Sequence, residues 1–405
     1  MGFTGAHQTF AAGTPSLLRA INERTVLECI RQIGPASRAQ IARTSGVSKP
    51  TVSQALSVLE KSHLVREAGR SSGGKGPTAV LYELNPSAGH VVGIDVGREG
   101  VRAAVTDLAG TVVARTDEPA RLSSAKALIA QLGRVARDVA TDAGLRWRDV
   151  TVACIGSPGV FADDEDHPRF AHNLPGWSRA GLLDAVRAEL GTHVLFENDV
   201  NLGALGERRF GLGREVEDFV YLHVGTGVGM GIVIDGQVYR GANGAAGEVG
   251  YLPLAISDPH DRGYRRRGPL ESAIGAASVV ASAKKAGVRR SGLTAEQVVD
   301  AARRGDARAQ GVVDELGTRI GLALAAIVSV LDPALVILGG GIGRNGDLLL
   351  EPIHRELASL APVQPDVVVS QLGEDAELLG AVSMALGVAQ ERLFARAEMK
   401  GEIAV

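Results

Sequence analysis

The stretch best suited to ligand chemistry is the glycine-rich run Val224–Gly250, which reads VGTGVGMGIVIDGQVYRGANGAAGEVG. Glycines at alternate positions remove side chains, so backbone N–H groups can approach a phosphate or a sugar closely. Two strands must position this turn, an apolar run that begins at Phe219 and a second run at Met230–Ile234. The second strand ends at Asp235-Gly236, which predicts a type I′ hairpin. A tight glycine turn that binds nothing is the alternative interpretation.

Length and composition indicate a globular protein. The chain has 405 residues, of which 45% are hydrophobic and 22% charged, which predicts two to three domains. Its two cysteines, Cys29 and Cys154, stand in apolar runs and indicate neither a disulfide framework nor a cysteine-based metal site. The longest apolar run, Ile320–Leu331, is shorter than the roughly 20 residues of a membrane span, and the N-terminus lacks a signal-peptide pattern. We therefore expect a soluble, cytoplasmic protein without membrane association.

Charge is distributed unevenly along the chain. Residues 1–90 carry ten Lys or Arg against five Asp or Glu, whereas the remaining 315 residues carry 33 against 41. A basic N-terminal segment followed by an acidic remainder is the charge distribution expected when a nucleic-acid-binding segment is joined to a second domain.

The basic part has the pattern of a winged helix-turn-helix. Apolar residues recur at helical spacing over residues 17–33, and the capping box Ser37-Arg38-Ala39-Gln40 then opens a second helix. Ser45-Gly46-Val47 breaks that helix, and Ser48 caps a third one that carries an apolar stripe. After these helices, the basic, glycine-rich tip at residues 69–77 fits a wing. A helical hairpin with a solvated polar face is the alternative.

The outward positions of this segment suit DNA. Small polar and basic side chains near a helix N-terminus can contact phosphates and the base edges of the major groove. The candidate DNA contacts are Ser37, Arg38, Ser48, Lys49, Thr51, Ser53, Gln54, Arg70 and Lys75. The expected partner is double-stranded operator DNA, and the symmetry of operators favours a paired protein.

The body of the chain shows one strand-turn-strand pattern twice. Strands are predicted at Val91–Gly97, Val101–Asp107 and Gly110–Arg115, followed by a helix over residues 125–143 and a strand at Thr151–Ile155. A second copy of the pattern begins at Asp218. This order resembles the sugar-kinase/Hsp70/actin (ribonuclease H-like) architecture, an α/β fold of two similar lobes around a cleft.

Six motifs, taken in order, resemble the ROK family. They are Asn173–Trp177, Glu197–Asn201, Val224–Gly231, Gly247–Gly250, Gly268–Glu271 and Val336–Ile342. The N-terminal part is similar to the winged helix of ROK repressors, notably in the run Ser48–Ser53. The resemblance implies a DNA-binding domain over residues 1–86 and a ROK domain over residues 87–405. Lobe I is expected at about residues 87–200 with a closing helix at 376–395, and lobe II at about 201–375.

The ROK resemblance implies a sugar pocket. Its lining would be Asn173, Asn198, Asp199, Glu248 and Glu271, with Tyr251 at the position of a histidine that commonly touches the sugar. Carboxylates and amides match vicinal hydroxyls, and an unmatched buried polar group costs about 1–3 kcal/mol. In a kinase of this family Asp199 would take the proton of the sugar hydroxyl, so here it is a vestigial base.

ROK kinases resemble one another in a first loop, of the form D-x-G-G-T, that binds the nucleotide phosphates. This chain departs from that pattern. It reads Asp95-Val96-Gly97-Arg98-Glu99, so that a carboxylate stands where a hydroxyl donor would meet the nucleotide phosphates. The second loop retains Gly225-Thr226-Gly227. Because phosphoryl transfer depends on positioning and charge neutralisation, we expect both loops to be vestigial and the protein to have no useful kinase activity.

The structural zinc site of the family is replaced as well. By resemblance, its histidine and three cysteines correspond to Tyr251, Arg262, Tyr264 and Pro269. None of these is a zinc ligand of the required kind. We expect no structural zinc and no other cofactor.

The leading hypothesis is a transcriptional regulator, specifically a repressor, whose kinase-like domain senses a sugar or sugar derivative and forms a homodimer or homotetramer. A sugar kinase that also binds DNA is one alternative, favoured by Asp199 and the second glycine loop. A ligand-independent regulator with a vestigial pocket is the other.

Overall fold

The computed structural model describes residues 15–71, 78–162, 165–171, 174–254 and 263–399. These residues form two compact units. Unit 1 contains the described chain up to Val91, the segment Thr106–Val112 and the chain from Leu386 onward, and unit 2 contains Val92–Val105 and Val113–Ala385. Three predicted site positions, Lys75, Asn173 and Arg262, lie outside the described residues.

The predicted winged helix-turn-helix is present in unit 1. Its elements are α1 (Pro15–Ile33), β1 (Ala36–Ser37), α2 (Arg38–Ser45), α3 (Lys49–Lys61), β2 (Val65–Arg70) and β3 (Val80–Leu84), with strand order β1-β3-β2. The capping box of Ser37 and Gln40 forms as predicted at the start of α2. The Ser48 side chain accepts from the backbone N–H of Thr51 at the start of α3. Both helices therefore begin where side-chain oxygens satisfy their first N–H groups.

One apolar core joins the helices of unit 1 to its strands. Ile41 of α2, Leu56 of α3 and Tyr82 of β3 are fully buried in it. Phe394, near the C-terminal end of the chain, packs into the same core and is 6% exposed. The winged helix and the last helical turns of the chain thus share one core.

The body of the chain folds into two five-stranded sheets. The first contains β4 (His90–Val96), β5 (Gly100–Asp107), β6 (Val112–Pro119), β7 (Val150–Ser157) and β8 (His193–Asn198), in the order β6-β5-β4-β7-β8. The second contains β9 (Phe219–Val224), β10 (Val228–Ile234), β11 (Gln237–Val238), β12 (Leu335–Gly339) and β13 (Asp366–Val369), in the order β11-β10-β9-β12-β13. In both sheets the strand order is third, second, first, fourth and fifth, which confirms the predicted duplication.

Helices flank and connect these strands. They are α4 (Ala125–Asp142), α5 (Leu182–Leu190), α6 (Asp199–Phe210), α7 (Tyr264–Arg267), α8 (Pro269–Ile274), α9 (Ala276–Lys285), α10 (Ala295–Arg303), α11 (Ala307–Leu331), α12 (Gly340–Gly343), α13 (Gly346–Leu360) and α14 (Ala376–Met399). Helix α11 contains the apolar run Ile320–Leu331 and begins at Ala307. The physical reason is Asp306, whose carboxylate accepts from two backbone N–H groups in the first turn of α11.

Helix α14 contributes to both units. Its first turn carries Glu377, which is 6% exposed in unit 2, and its later turns carry Phe394 in the core of unit 1. Among the described residues, the segment Gly373–Arg396 has the length and apolar composition to cross a membrane, with mean hydropathy 1.2. Half of its apolar 18-residue window is buried inside the protein, as in the core helix of a globular fold.

Candidate functional site

The glycine turn between β9 and β10 lies between two groups of polar side chains. A methyl group placed on Gly227 would stand 3.4 Å from Oε2 of Glu271, and one placed on Gly229 would stand 3.0 Å from Val200, next to Asp199. The turn itself is closed by a 3.0 Å hydrogen bond from the Gly225 N–H to the carbonyl of Gly227. The turn predicted from sequence and the strand after it therefore lie close to Glu271 and to the first turn of α6.

The first group, the central cluster, draws one charged side chain from each of five elements. Its members are Asp95 (β4), Arg102 (β5), Asp199 (α6), His223 (β9) and Glu377 (α14). Asp95 and Glu377 are 5% and 6% exposed. Because buried charges lose their hydration, such a cluster depends on its internal pairs.

Arg102 neutralises Asp95. Its Nε and one terminal nitrogen donate to Oδ2 of Asp95 at 3.0 and 2.6 Å, and another N–H donates to the carbonyl of Glu374. Burial raises the pKa of Asp95 to about 6, although the charge of Arg102 acts in the opposite direction. Arg98 and Glu99 are exposed in the turn that follows β4. The carboxylate of the predicted first phosphate loop thus has a resident cationic partner.

His223 and Glu377 form the second pair of the central cluster. Oε1 of Glu377 accepts from the Tyr221 hydroxyl at 3.0 Å and lies 3.1 Å from Nδ1 of His223. Burial alone would lower the pKa of His223, but the hydrogen bond and charge of Glu377 raise it above its ordinary value. Burial alone would raise the pKa of Glu377, and His223 instead holds it below its ordinary value. The pair therefore favours an imidazolium beside a carboxylate.

The outer edge of His223 faces two glycine turns. A methyl group on Gly225 would stand 2.8 Å from Nε2 of His223, and one on Gly340 would stand 2.9 Å from the same atom. Gly340 also has φ +80°, a conformation that side chains rarely adopt. The imidazole thus leaves no room for a side chain at either position, and at Gly340 the backbone conformation also favours glycine.

Asn198 and Asp199 stand where α6 begins. Oδ1 of Asn198 accepts from two backbone N–H groups of the first helical turn at 2.9 and 3.1 Å, and its Nδ2 donates to the carbonyl of Gly159 at 3.0 Å. Burial raises the pKa of Asp199 to about 7, with His223 acting in the opposite direction. A carboxyl group that titrates near neutrality suits proton transfer. Asp199 is thus a desolvated carboxyl group at the start of α6, and the Asn198 side chain is engaged as a helix cap.

The second group consists of Glu248 and Glu271, here called the carboxylate pair. Oε2 of Glu271 accepts from the backbone N–H of Val228 at 3.2 Å. Burial and then the charge of Glu271 raise the pKa of Glu248, and burial raises that of Glu271. Burial and then both carboxylates raise the pKa of Tyr251. The structure thus brings three predicted ligand residues together.

Glu197 fixes the position of Asn198. It is 4% exposed, and its Oε2 accepts from Nε of Arg240 at 2.7 Å and from a terminal nitrogen of the same arginine at 2.6 Å. Its Oε1 accepts from the Asn201 amide at 3.0 Å and from the backbone N–H of Asn198 at 2.9 Å. All four bonds satisfy a carboxylate that burial would otherwise penalise. Glu197, part of a predicted motif, therefore supports the start of α6.

The predicted DNA contacts on α3 are open to solvent. Lys49, Ser53 and Gln54 are exposed, as is Arg70 at the end of β2. The hydroxyls of Ser48 and Thr51 are hydrogen-bonded to each other at 2.7 Å. The N-terminal part of α3 therefore presents donors and acceptors of the kind that read base edges.

Two of the predicted contacts are engaged within unit 1. Ser37 is 8% exposed and its hydroxyl belongs to the capping box of α2. The Arg38 guanidinium lies 5.0 Å from the centroid of the Tyr82 ring and donates to the Tyr82 hydroxyl. Both side chains have a structural role where they stand, and a DNA contact by either stays a prediction.

The residues at the family's zinc positions do not fit a zinc ion. Tyr251 packs against the Phe170 ring at 6.0 Å, Tyr264 begins α7, and Pro269 is buried in the first turn of α8. A phenol and a pyrrolidine do not supply the thiolates and imidazoles of such a site. Within the described residues, no group of three or more His, Cys, Asp or Glu is arranged to hold a metal.

Three members of the central cluster were missed by the sequence analysis. Arg102 lies within the otherwise apolar first half of β5, and His223 interrupts β9. A charged or titratable residue in a buried strand needs a partner, and this was the available signal. Glu377 carries no such signal, because an acid in the first turn of a helix is explained by the helix dipole alone.

Comparisons with known families agree with this architecture. A family model described as "ROK family" matches residues 91–388, and one described as "Winged helix-turn-helix DNA-binding" matches residues 19–66. The xylose repressor of Bacillus subtilis is 28% identical over 389 residues, covering 92% of this chain and 92% of the relative. The glucokinase of Halalkalibacterium halodurans is 31% identical over 307 residues, covering 71% of this chain and 92% of the relative.

Two solved structures have the same fold. A ROK family transcriptional regulator, a homologue of the E. coli MLC protein, superposes with TM-score 0.78 at 22% identity and covers 93% of this chain and 99% of its own. A ROK family glucokinase from Streptomyces griseus, in complex with glucose and AMPPNP, gives TM-score 0.65 at 28% identity. It covers 73% of this chain and 99% of its own.

Proposed function

The chain belongs to the ROK family, and on this premise we propose that it is a DNA-binding transcriptional regulator, a repressor, whose ROK domain senses a sugar or sugar derivative. The observation that carries the proposal is the winged helix-turn-helix at residues 19–66 on the same chain as the ROK domain at residues 91–388. The alignment with the B. subtilis xylose repressor covers 92% of this chain and so includes both parts.

The proposed DNA-binding surface is the N-terminal part of α3 together with the end of β2, the strand that leads into the wing. Lys49, Ser53, Gln54 and Arg70 are exposed there, and residues 1–90 carry a net positive charge. Basic side chains supply the sequence-independent attraction to phosphates, and amides such as Gln54 read bases. We propose a palindromic operator bound by a homodimer, or by a homotetramer of such dimers, in the cytoplasm.

The proposed sugar site lies along the glycine turn that separates the carboxylate pair from Asp199. Glu248 and Glu271 are acceptors for sugar hydroxyls, and Asn173, Asn198 and Asp199 complete the proposed lining. Burial raises the pKa of both carboxyl groups of the pair. Hydroxyl donors would therefore satisfy carboxyl groups whose desolvation is only partly compensated, since the backbone N–H of Val228 already donates to Glu271.

Loss of kinase activity is supported by the surroundings of Asp95. Phosphoryl transfer requires the phosphates and their metal ions to be held by correctly charged loops. Here Arg102 occupies Oδ2 of Asp95 with two hydrogen bonds, and the adjoining turn carries Glu99. A sugar kinase that also binds DNA is the second candidate, and the observation in its favour is the Asp199 pKa of about 7.

Ligand and DNA binding are proposed to be coupled. Glu377 in the central cluster and Phe394 in the core of unit 1 belong to one continuous helix, α14. A rearrangement of the central cluster on sugar binding therefore has a direct path along the chain to unit 1. Allosteric coupling of roughly 1–3 kcal/mol would change operator affinity by about 5–150-fold.

Thermal unfolding with candidate sugars tests the ligand-binding part of the proposal. Xylose, glucose and related sugars should each be added with and without Mg-ATP. A sugar at about 100 times its Kd stabilises the folded state by about 2.7 kcal/mol, so one sugar alone is expected to raise the Tm by several degrees. The double variant Glu248→Gln/Glu271→Gln should lose that shift while melting normally without sugar. A shift that requires Mg-ATP, with sugar phosphate formed, would support the kinase, and no shift with any sugar would support a ligand-independent regulator.

A further inference from the structure

One face of helix α11 leaves apolar side chains uncovered. Leu322 is 39% exposed, Val330 is 81% exposed, and the half-buried Ala326 lies midway between them. Residues four apart stand above one another on a helix, so the three form one row, here called the α11 row. In residues 319–331 the only other exposed residue is Ser329, beside Val330. Single exposed apolar residues are ordinary, but a row of three on an otherwise buried helix indicates a surface that another molecule covers.

The surroundings of the α11 row differ at its two ends. Near the N-terminal end Arg319 lies on the same face, where it donates to the carbonyl of Ala273 at 2.9 Å and to the Glu315 carboxylate, and its side chain is 33% exposed. Beyond the C-terminal end lies a cleft of about 290 Å³ with apolar walls and three exposed aspartates, Asp218, Asp235 and Asp332. Such a cleft suits an arginine side chain, which has an apolar stem and a cationic head.

The α11 row is complementary to itself. If two copies of α11 pack antiparallel about a two-fold axis at Ala326, Leu322 of one copy meets Val330 of the other, because each lies four residues from the axis. The same operation brings Arg319, seven residues before the axis, to the partner's Asp332, six residues after it. The small side chain of Ala326 lets the two helices approach closely at the axis. Each contact then occurs twice, as a two-fold interface requires.

From this geometry, and resting on the proposed function with its paired winged helices, we propose that a second copy of this chain covers the α11 row. The two helices pack antiparallel with the two-fold axis at Ala326. Leu322 and Val330 form the apolar centre of the interface, and Arg319 of each copy enters the aspartate-lined cleft of the other. An apolar centre inside a polar rim is the usual composition of a protein–protein interface.

Sedimentation equilibrium of the full-length protein tests the proposed face. Val330→Asp places an unpaired charge at the centre of the interface and should weaken self-association by about 100-fold or more. The fold should be unaffected, since Val330 is 81% exposed within one copy. Val363→Asp introduces the same charge at a position that is 45% exposed beyond the end of α13. This matched control should associate as the unaltered protein does.

Cysteine cross-linking tests the antiparallel register. The two native cysteines are buried, so an introduced surface thiol reacts selectively. Ala326→Cys should form a covalent dimer under mild oxidation, because the residue meets its own counterpart at the axis. A mixture of Leu322→Cys and Val330→Cys chains should cross-link more readily than either variant alone. Val363→Cys is the control and should not cross-link.

The outcomes separate this inference from the function on which it rests. Self-association that survives Val330→Asp, or failure of Ala326→Cys to form a covalent dimer, would overturn the assignment of the α11 row and leave the paired regulator intact. An unaltered protein that stays monomeric at every concentration and on its operator would overturn the pairing as well. A sugar-induced rise in Tm that persists in Val330→Asp would show that sugar sensing is independent of the interface, as this assignment expects.

Discussion

Replacing Arg102 with alanine is expected to lower the free energy of unfolding by about 3–5 kcal/mol at pH 8. The substitution leaves the Asp95 carboxylate buried without its partner, and breaking a buried ion pair on one side has a cost of this size. Asp95 is 5% exposed, so solvent does not replace the two hydrogen bonds that Arg102 donates. Chemical denaturation followed by circular dichroism would measure the change.

The destabilisation by Arg102→Ala should depend on pH. Burial already raises the pKa of Asp95 to about 6 with Arg102 present, and removal of the cation would raise it further. A carboxyl group whose folded pKa exceeds its unfolded value takes up a proton on folding between those two values, so its contribution to stability falls as the pH rises through that window. The variant should therefore be less destabilised at pH 5 than at pH 8.

Two further variants control the Arg102 experiment. The double variant Asp95→Asn/Arg102→Ala removes the uncompensated charge and should recover much of the stability at pH 8. Arg115→Ala removes an arginine that pairs with Asp375 at a more exposed position, where the two side chains are 42% and 35% exposed, and it should cost about 1 kcal/mol or less. If Arg102→Ala costs no more than Arg115→Ala, the structural importance assigned to the ion pair of Arg102 with Asp95 is wrong.

Replacing Gln54 with alanine is expected to weaken specific operator binding by about 30-fold or more. A bidentate interaction between an amide and an adenine discriminates by about 1–3 kcal/mol, and a dimer makes one such interaction in each half-site. Gln54 is exposed on α3 and does not contribute to its core, so the fold should be unaffected. Fluorescence anisotropy with operator and scrambled DNA would measure both affinities, and binding to scrambled DNA should change little.

A charge substitution on the same helix should act differently. Lys49→Ala is expected to weaken binding to operator and to scrambled DNA alike. It should also make the slope of log K against log salt concentration less steep by about one for each phosphate that the lysine neutralises. Lys284→Ala removes the same charge from an exposed position on α9 and serves as the control.

If Gln54→Ala leaves the operator affinity unchanged, the role in base recognition assigned to Gln54 is ruled out.

Local signals made much of the fold predictable. Ser37 with Gln40 and Ser48 with Thr51 mark helix starts through contacts within four residues, and both caps are present. The Asp235-Gly236 hairpin was predicted from the dipeptide alone, and both residues have positive φ, +51° and +70°. Features that depend on neighbouring residues are thus readable from sequence.

The site was only partly predictable, because its pairs are distant in sequence. His223 and Glu377 are separated by 154 residues and Tyr221 and Glu377 by 156. Sequence spacing does not reveal which buried strand residue meets which helix start. The family motifs identified Glu248, Glu271 and Asp199, but the internal pairs that neutralise the central cluster required coordinates.

The most direct test of the proposed function is titration of the operator upstream of the protein's own gene, across a salt series, with and without each candidate sugar. A sensor-repressor should bind that DNA specifically, and one ligand should weaken the binding by about 5–150-fold without altering the binding of scrambled DNA. Specific binding that no ligand changes would contradict the sensor, and failure to distinguish operator from scrambled DNA at any salt concentration would contradict the regulator itself.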